Sequence, residues 1–167
     1  MMNSRRKRKG HPPRHHFRNR MLSIDTNILL HGFNADSPQH EAAYAWLQSV
    51  QALEEVAISE FLLAEFYGLL RNPAVLKQPL GASDATTVVQ VYRRHPRWRL
   101  IGFPSESLPM HESLWQTASK EGFAFRRLYD VRTALSLLAQ GVTEFATTNT
   151  KDFTGLGFRR VWNPLVS

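Results

Sequence analysis

The sequence predicts an α/β protein, a three-layer α/β/α sandwich built around a mainly parallel sheet of four to five strands. Two observations predict this fold class. Short apolar runs of strand length alternate along the chain with longer segments whose apolar residues recur at helical spacing. Such alternation is typical of parallel sheets with helices on both faces, because every parallel connection needs a crossover. The length of 167 residues is that of one domain.

The predicted strands and helices follow one another from Met21 onward. The first apolar run ends at Ile24, and the polar residues 25–27 lead into a helix. Further strands are predicted at 56–58, 98–101, 143–148 and 159–162. Further helices are predicted at 39–53, 60–71, 83–94, 110–121 and 127–140. The segments 104–109 and 149–158 are predicted to be loops.

The net charge of +7 is concentrated at the start of the chain. Residues 1–20 contain eight of the 21 basic residues and no acidic residue, so the rest of the chain is nearly neutral. Because this segment has almost no apolar residues, we expect residues 1–20 to be a disordered basic tail and residues 21–167 to form the domain. The tail is either an arm for nucleic acid or another anionic surface, or an artefact that precedes a true start at Met21. The second interpretation is favoured.

The composition also excludes several classes of protein. Because the chain has no cysteine, it has neither disulfides nor thiolate metal sites. No apolar run approaches the roughly 20 residues of a membrane-spanning helix, and no secretory signal precedes the domain. We therefore expect a cytoplasmic protein without a membrane partner.

Asp25 is the first candidate functional residue, because it directly follows the first predicted strand. In open α/β sheets, ligands bind at the carboxyl ends of the strands. Asp25 is either the N-cap of the next helix or a ligand, and Thr26 and Asn27 are common turn residues. Taken alone, capping is the commoner role. The ligand role depends on whether other acids occupy similar positions.

Two further acids lie at helical positions where apolar residues are expected. Glu65 is predicted to project from an apolar helix face between Phe61 and Leu69, and Asp130 shares a face with Ala134. An unpaired carboxylate is costly to bury. An arginine partner or a position at the sheet edge for Glu65, and helix capping for Asp130, are the alternatives to a bound cation.

Asn149 and Asp152 follow the fourth predicted strand and would form an ordinary loop if considered alone. They would meet Asp25 at one edge of a parallel sheet, and Glu65 and Asp130 could reach this edge from flanking helices. Oxygen ligands without cysteine or paired histidines favour Mg²⁺ or Mn²⁺ over zinc. Carboxylates that hold one or two such ions are suited to phosphodiester hydrolysis.

Four motifs occur in order between Met21 and Pro164: residues 24–27, the helix with Glu65 before Asn72-Pro73, Tyr129-Asp130, and residues 147–153. Their order and setting resemble those of the PIN-domain ribonucleases, in particular toxins of the VapC kind. The resemblance implies a compact α/β/α sandwich and Mg²⁺-dependent cleavage of single-stranded regions of RNA. It also implies a homodimer and, in many cases, an antitoxin that blocks the site.

The resemblance also implies roles for individual residues. The acidic triad is matched by Asp25, Glu65 and Asp130, a fourth acid by Asp152, and the supporting polar pair by Thr26 and Asn27. Some relatives carry an acid at the position of Asn149, so the number of metal ions, one or two, stays open. The predicted metal ligands are Asp25, Asp130 and Asp152. Glu65 is predicted to bind metal or hold a water, and the positioning residues are Thr26, Asn27 and Asn149.

RNA binding is expected at one of three basic clusters, which are Arg93, Arg94, Arg97 and Arg99; Arg126 and Arg127; and Arg159 and Arg160. Phe123 and Phe125 are expected in the core. Two other functions remain open. The chain could be a catalytically incompetent PIN-like module that binds RNA or protein. It could also be a metal phosphohydrolase for a small phosphoester, which would need a pocket for its leaving group.

Overall fold

The computed structural model describes residues 20–166, which form a five-stranded sheet with helices on both faces. The strands are β1 (Leu22–Ile24), β2 (Val56–Ser59), β3 (Arg99–Ile101), β4 (Glu144–Ala146) and β5 (Arg160–Trp162). The helices are α1 (Thr26–Phe33), α2 (His40–Val50), α3 (Glu60–Leu70), α4 (Ala82–Arg93), α5 (Ser107–Ala118), α6 (Arg127–Ala139) and α7 (Thr150–Phe153).

All strand pairs in the sheet are parallel, and the strand order is β3-β2-β1-β4-β5. The chain therefore extends the sheet from β1 in one direction and later returns to the other side of β1 with β4. This reversal opens a crevice at the carboxyl ends of β1 and β4, where α/β proteins bind ligands. Ile24 lies opposite Ala146 in the register, so Asp25 and Thr147 leave the sheet side by side.

Side chains of the strands alternate between two cores, because successive strand residues point to opposite faces of a sheet. Ile24, Val56 and Ile58 pack in one core with α1 to α4. Ala57 and Phe145 pack in the other with α6 and α7, and α5 packs on α6. The three layers and the parallel sheet predicted from the sequence are thus confirmed.

Helix α5 begins earlier than predicted, since its first turn takes up part of the predicted loop 104–109. Pro109 is the third residue of this helix. A proline is tolerated there because the N–H groups of the first turn have no partner within the helix. Other predicted element bounds differ from the observed ones by a few residues, as is common where helices fray.

The predicted loop 149–158 contains the short helix α7, so its assignment as a loop was wrong. Phe153 is buried in this turn and packs on Phe145 with ring centroids 4.6 Å apart. A single turn is too short to show a helical period in the sequence. Asp152 consequently lies on a helical turn.

Only Arg20 of the predicted tail lies within the described part of the chain, and residues 1–19 lie outside it. The prediction of a disordered tail therefore stays a prediction. Arg20 itself forms a salt bridge at 3.0 Å with Glu144 at the start of β4. Within residues 20–166, no helix combines the length and the apolar character needed to cross a membrane.

Candidate active site

Asp25 is fixed at the carboxyl end of β1 by the backbone of the sheet. Its N–H donates to the carbonyl oxygen of Ala146 at 2.9 Å, and the residue directly precedes α1. Asp25 is 7% exposed, and although it occupies the N-cap position, its side chain makes no capping hydrogen bond. The N–H groups of Thr26 and Asn27 lower the pKa of Asp25, but no capping hydrogen bond occupies its carboxylate.

Three neutral side chains donate hydrogen bonds to the Asp25 carboxylate. Oδ2 accepts from Thr147 Oγ1 at 2.5 Å and from Asn27 Nδ2 at 2.8 Å, and Oδ1 accepts from Thr26 Oγ1 at 3.2 Å. Asn27 also donates to Thr147 Oγ1 at 3.1 Å and accepts from the Thr148 N–H at 3.2 Å. This network orients the carboxylate but brings it no positive charge.

This arrangement disfavours the charged form of Asp25. Burial raises the pKa of Asp25 above its ordinary value, and the hydrogen bonds from Thr147 and Thr26 counter that effect only in part. A buried carboxylate without a counter-charge is unfavourable at neutral pH. A cation bound beside it would remove this penalty.

Glu65 is an exposed residue beside the buried face of α3, which consists of Leu62, Leu63, Phe66 and Leu70. The prediction that Glu65 projects from the middle of the apolar face was therefore wrong, because the buried stripe runs along the adjacent side of the helix. Glu65 nevertheless lines a concave site. Partial desolvation there raises the pKa of Glu65, and the negative charges of Asp25 and Asp130 raise it further.

Asp130 lies half-buried in the first turn of α6. Its pKa is raised first by burial and then by the negative charges of Asp152 and Asp25, while the charge of Arg127 acts in the opposite direction. The pKa values of Glu65 and Asp130 are therefore each raised by the charges of two other acids. The structure brings them into one electrostatic cluster, as the sequence predicts.

Asn149 and Asp152 lie at the other side of this cluster, just beyond β4. Asn149 Nδ2 donates to Asp152 Oδ2, and the Asn149 N–H donates to Thr147 Oγ1 at 2.9 Å. The Asn149 backbone is thereby linked through Thr147 to Asp25, and its side chain contacts Asp152. This arrangement agrees with a positioning role for Asn149.

A cavity of about 460 Å³ opens between α3 and α6, and Asp25, Glu65 and Asp130 share its wall. Asp152 is not part of this wall. Among the described residues, the four acids form no salt bridge, since all five salt bridges involve other carboxylates. The cavity wall therefore has an excess of negative charge, with three acids against one arginine, Arg132.

The donor set suits a hard divalent cation that keeps part of its water shell better than an ion held by protein ligands alone. Within residues 20–166, no three carboxylate or imidazole groups are close enough to hold one ion together. The three predicted metal ligands are thus not gathered into a single three-ligand site. Mg²⁺ keeps several waters and usually takes only one or two protein carboxylates, so the residues present still suit this ion.

Three residues near the acids were not singled out as site residues by sequence reasoning. Thr147 was missed because its role depends on the strand register that places it beside Asp25. Arg132 lies over the rings of Phe61 and Tyr129, at 5.2 and 5.3 Å from their centroids, and its charge lowers the pKa of Glu65. No periodicity in the sequence signals such a contact between two helices.

The third is Arg127, which was considered only as part of a basic cluster. Its Nη2 donates to the carbonyl oxygen of Asp152 at 3.3 Å. Arg127 thus connects the first turn of α6 to α7. No sequence pattern identifies this contact between a side chain and a distant backbone carbonyl.

The structure also separates the three basic clusters that were predicted as alternatives. Arg93, Arg97 and Arg159 form salt bridges with glutamates, and Arg160 lies over Trp162. Phe125 is 79% exposed with Arg126 above its ring, so its predicted place in the core was wrong. Of the three clusters, the one at the start of α6 forms no salt bridge within the described residues, and its Arg127 contacts Asp152.

Comparison with known proteins agrees with the fold. The PIN domain family matches residues 22–152. Ribonuclease VapC24 from two strains of Mycobacterium tuberculosis, CDC 1551 / Oshkosh and ATCC 25618 / H37Rv, is 47% identical over 147 residues. That alignment covers 88% of this chain and 99% of the relative.

Two solved structures have a similar fold at 18% sequence identity. The first is Mycobacterium tuberculosis VapC20, a toxin that cleaves the sarcin-ricin loop, with a TM-score of 0.59 over 82% of this chain and 95% of that chain. The second is VapBC2 from Rickettsia felis bound to a DNA fragment from its promoter, with a TM-score of 0.60 over 86% and 99%. The family predicted from the four motifs is confirmed. The chain belongs to the PIN-domain family and is a relative of the VapC ribonucleases.

Proposed function

We propose that the protein is a Mg²⁺-dependent endoribonuclease that hydrolyses phosphodiester bonds in single-stranded regions of RNA, with Mn²⁺ as an alternative ion. The observation that carries this proposal is the cavity on which Asp25, Glu65 and Asp130 lie without a salt bridge among the described residues. The 47% identity to a ribonuclease supports the same activity.

In this proposal, Asp25 and Asp130 would hold the ion directly, and Asp152 would hold it directly or through water. Glu65 binds the ion or holds a water at the cavity wall. The hydroxyl and amide groups that orient these carboxylates belong to Thr26, Asn27, Thr147 and Asn149. A divalent ion supplies positive charge that helps to ionise the attacking water and offsets charge developing on the phosphate.

We further propose that the protein is the toxin of a toxin–antitoxin pair, a homodimer and cytoplasmic, with its nuclease domain spanning residues 21–167. The structural similarity to VapBC2 supports an antitoxin partner. Large apolar side chains on α5, Leu108 at 85% and Trp115 at 57% exposure, offer a surface that a second chain could cover.

The test is cleavage of a panel of single-stranded RNAs, transfer RNAs and ribosomal RNA fragments with Mg²⁺, with Mn²⁺ and with a chelator. We expect discrete cleavage products with either ion and intact RNA with the chelator. Asp130→Asn should abolish cleavage, whereas Asp84→Asn, which alters an exposed aspartate on α4, should not.

Each alternative function predicts a different outcome of this test. RNA that is bound but stays intact in the presence of both ions would identify a binding module without activity. Hydrolysis of a small phosphoester such as p-nitrophenyl phosphate, with all RNAs left intact, would identify a phosphohydrolase of another kind. Equal cleavage by the wild type and by Asp130→Asn would contradict the proposed site.

A further inference from the structure

A second cavity, of about 480 Å³, lies on the other side of the first turns of α6. Its wall is formed by the end of α5, by α6 and by the loop after α7. The wall includes Lys120, Phe123, Arg127, Thr154 and Leu156. The cavity is thus separate from the one that holds the carboxylates, yet the start of α6 belongs to both walls.

Arg127 lines the second cavity, and its charge also acts on Asp130 in the wall of the first cavity. Its Nη2 donates to the carbonyl oxygen of Asp152, and its charge lowers the pKa of Asp130. Its Nε is buried and has no hydrogen-bond partner within residues 20–166. A buried N–H without an acceptor is rare in folded proteins, and the missing acceptor is commonly a water or a ligand.

The charge of this second cavity favours an anionic ligand. Two basic side chains, Lys120 and Arg127, line it together with one acid, Glu121. Neither base forms a salt bridge among the described residues. Thr154 adds a hydroxyl, and Phe123 and Leu156 add apolar surface that could contact a ribose or a base. This combination of charged and apolar groups matches one nucleotide of an RNA strand.

We propose that this second cavity binds a backbone phosphate of the RNA strand, next to the phosphodiester cleaved at the carboxylates. The Arg127 guanidinium and Lys120 Nζ donate to the phosphate oxygens, and the apolar wall contacts the attached nucleoside. The carboxylate cavity repels RNA, so a basic subsite on the far side of α6 holds the strand in place. This inference rests on the proposed function, which supplies the RNA.

The test is binding of a fluorescein-labelled 12-nucleotide single-stranded RNA, measured by fluorescence anisotropy in chelator at several salt concentrations. Loss of one phosphate contact on a single strand lowers the slope of log K against log salt by about 0.7, or roughly fourfold in affinity near 0.15 M salt. We expect this change for Lys120→Ala. Lys77→Ala removes the same charge from a surface lysine paired with Asp36 and should leave the slope unchanged.

A second variant, Arg127→Lys, keeps the charge but removes the forked guanidinium donors. We expect weaker RNA binding with little change in the salt slope, and thermal unfolding shows whether the variant folds. Wild-type slopes in both Lys120→Ala and Arg127→Lys, with wild-type affinities, would overturn the subsite. No measurable binding of the RNA by the wild type would also overturn it.

Cleavage assays on the same proteins distinguish this inference from the proposed function. Metal-dependent cleavage by a wild type whose RNA affinity does not depend on Lys120 would leave the nuclease in place and remove the subsite. A reduced slope for Lys120→Ala in a protein that cleaves no RNA would leave the subsite and remove the nuclease.

Discussion

Two buried carboxylates on neighbouring strands are treated in opposite ways by this protein. Asp25 follows β1 at its carboxyl end and is 7% exposed, and Glu144 begins β4 at its amino end and is 5% exposed. Asp25 accepts hydrogen bonds from neutral groups only. Glu144 accepts from the guanidinium groups of Arg20 and Arg159, on both of its oxygens.

The two environments shift the pKa values of these acids in opposite directions. Burial raises the pKa of Asp25, and its neutral donors do not restore the ordinary value. Burial also acts to raise the pKa of Glu144, but the hydrogen bonds and charges of Arg20 and Arg159 outweigh it, so this pKa is lowered. The fold therefore stabilises the charged form of Glu144 and destabilises the charged form of Asp25.

The difference indicates where the fold leaves room for an outside cation. At the amino end of the sheet, Arg20 and Arg159 neutralise the buried Glu144. The salt bridge also holds Arg20 against the start of β4. At the carboxyl end, Asp25, Glu65 and Asp130 lie together without such neutralisation. Unsatisfied charge of this kind is a common mark of a functional site.

The strongest test of this comparison makes the same chemical change in both acids. Asp25→Asn should lower RNA cleavage by roughly 10²-fold or more, because in the proposed mechanism Asp25 would hold the ion that acts on the reacting phosphate. Glu144→Gln should cleave RNA at the wild-type rate below its unfolding temperature, because Glu144 lies at the opposite edge of the sheet. Comparable losses of cleavage activity in both variants would contradict the distinction between the two acids.

Thr147 sharpens the comparison, because it shows how neutral donors serve Asp25. Thr147→Val removes the hydroxyl that donates to Asp25 Oδ2 at 2.5 Å and should lower activity by about 10- to 100-fold. Part of this loss should be recovered at higher Mg²⁺. Thr143→Val, a hydroxyl change at the other end of β4, is the matched control. Rate measurements over a Mg²⁺ series would show whether the two threonines differ.

The fold and the acids could be predicted from sequence for the same reason. Buried short strands and amphipathic helices give local patterns, and Asp25 and Asp130 stand out because acids interrupt those patterns. Glu65 was singled out for an apolar helix face on which it does not lie. The contacts of Thr147 and Arg127 depend on strand register and on packing between distant segments, which no local pattern encodes. The contrast between Asp25 and Glu144 also depends on contacts between distant segments, so the sequence does not reveal it.

A smaller effect is expected on stability, with opposite signs in the two acids. Glu144→Gln should cost about 1 kcal/mol, because charged hydrogen bonds are lost but both arginines are partly exposed. This corresponds to a fall in Tm of about 2–4 °C. Asp25→Asn should keep or raise the Tm in chelator, since its amide can still bond Thr147, Asn27 and Thr26. A large loss of stability in Asp25→Asn would contradict the assigned environment.

The pH dependence of these stability differences is the finest test. The pKa of Glu144 is lowered in the folded state, so its stabilising effect is present above the ordinary value of about 4.3 and is lost as the pH falls through the folded value. The pKa of Asp25 is raised, so its destabilising effect at neutral pH shrinks as the pH falls through the folded value and is gone below the ordinary value of about 3.9. Denaturant unfolding in chelator measures the difference in the free energy of unfolding between each variant and the wild type. As the pH falls, this difference should vanish at a higher pH for Asp25→Asn than for Glu144→Gln.

Binding of Mg²⁺ tests the central claim most directly, because it asks which end of the sheet takes a cation. Calorimetric titration of Mg²⁺ should show binding by the wild type and by Glu144→Gln. Binding should be strongly weakened in Asp25→Asn, and saturating Mg²⁺ should raise the Tm only of the proteins that bind it. No binding by the wild type, or equal binding by the wild type and Asp25→Asn, would contradict the claim that the uncompensated acids form a cation site.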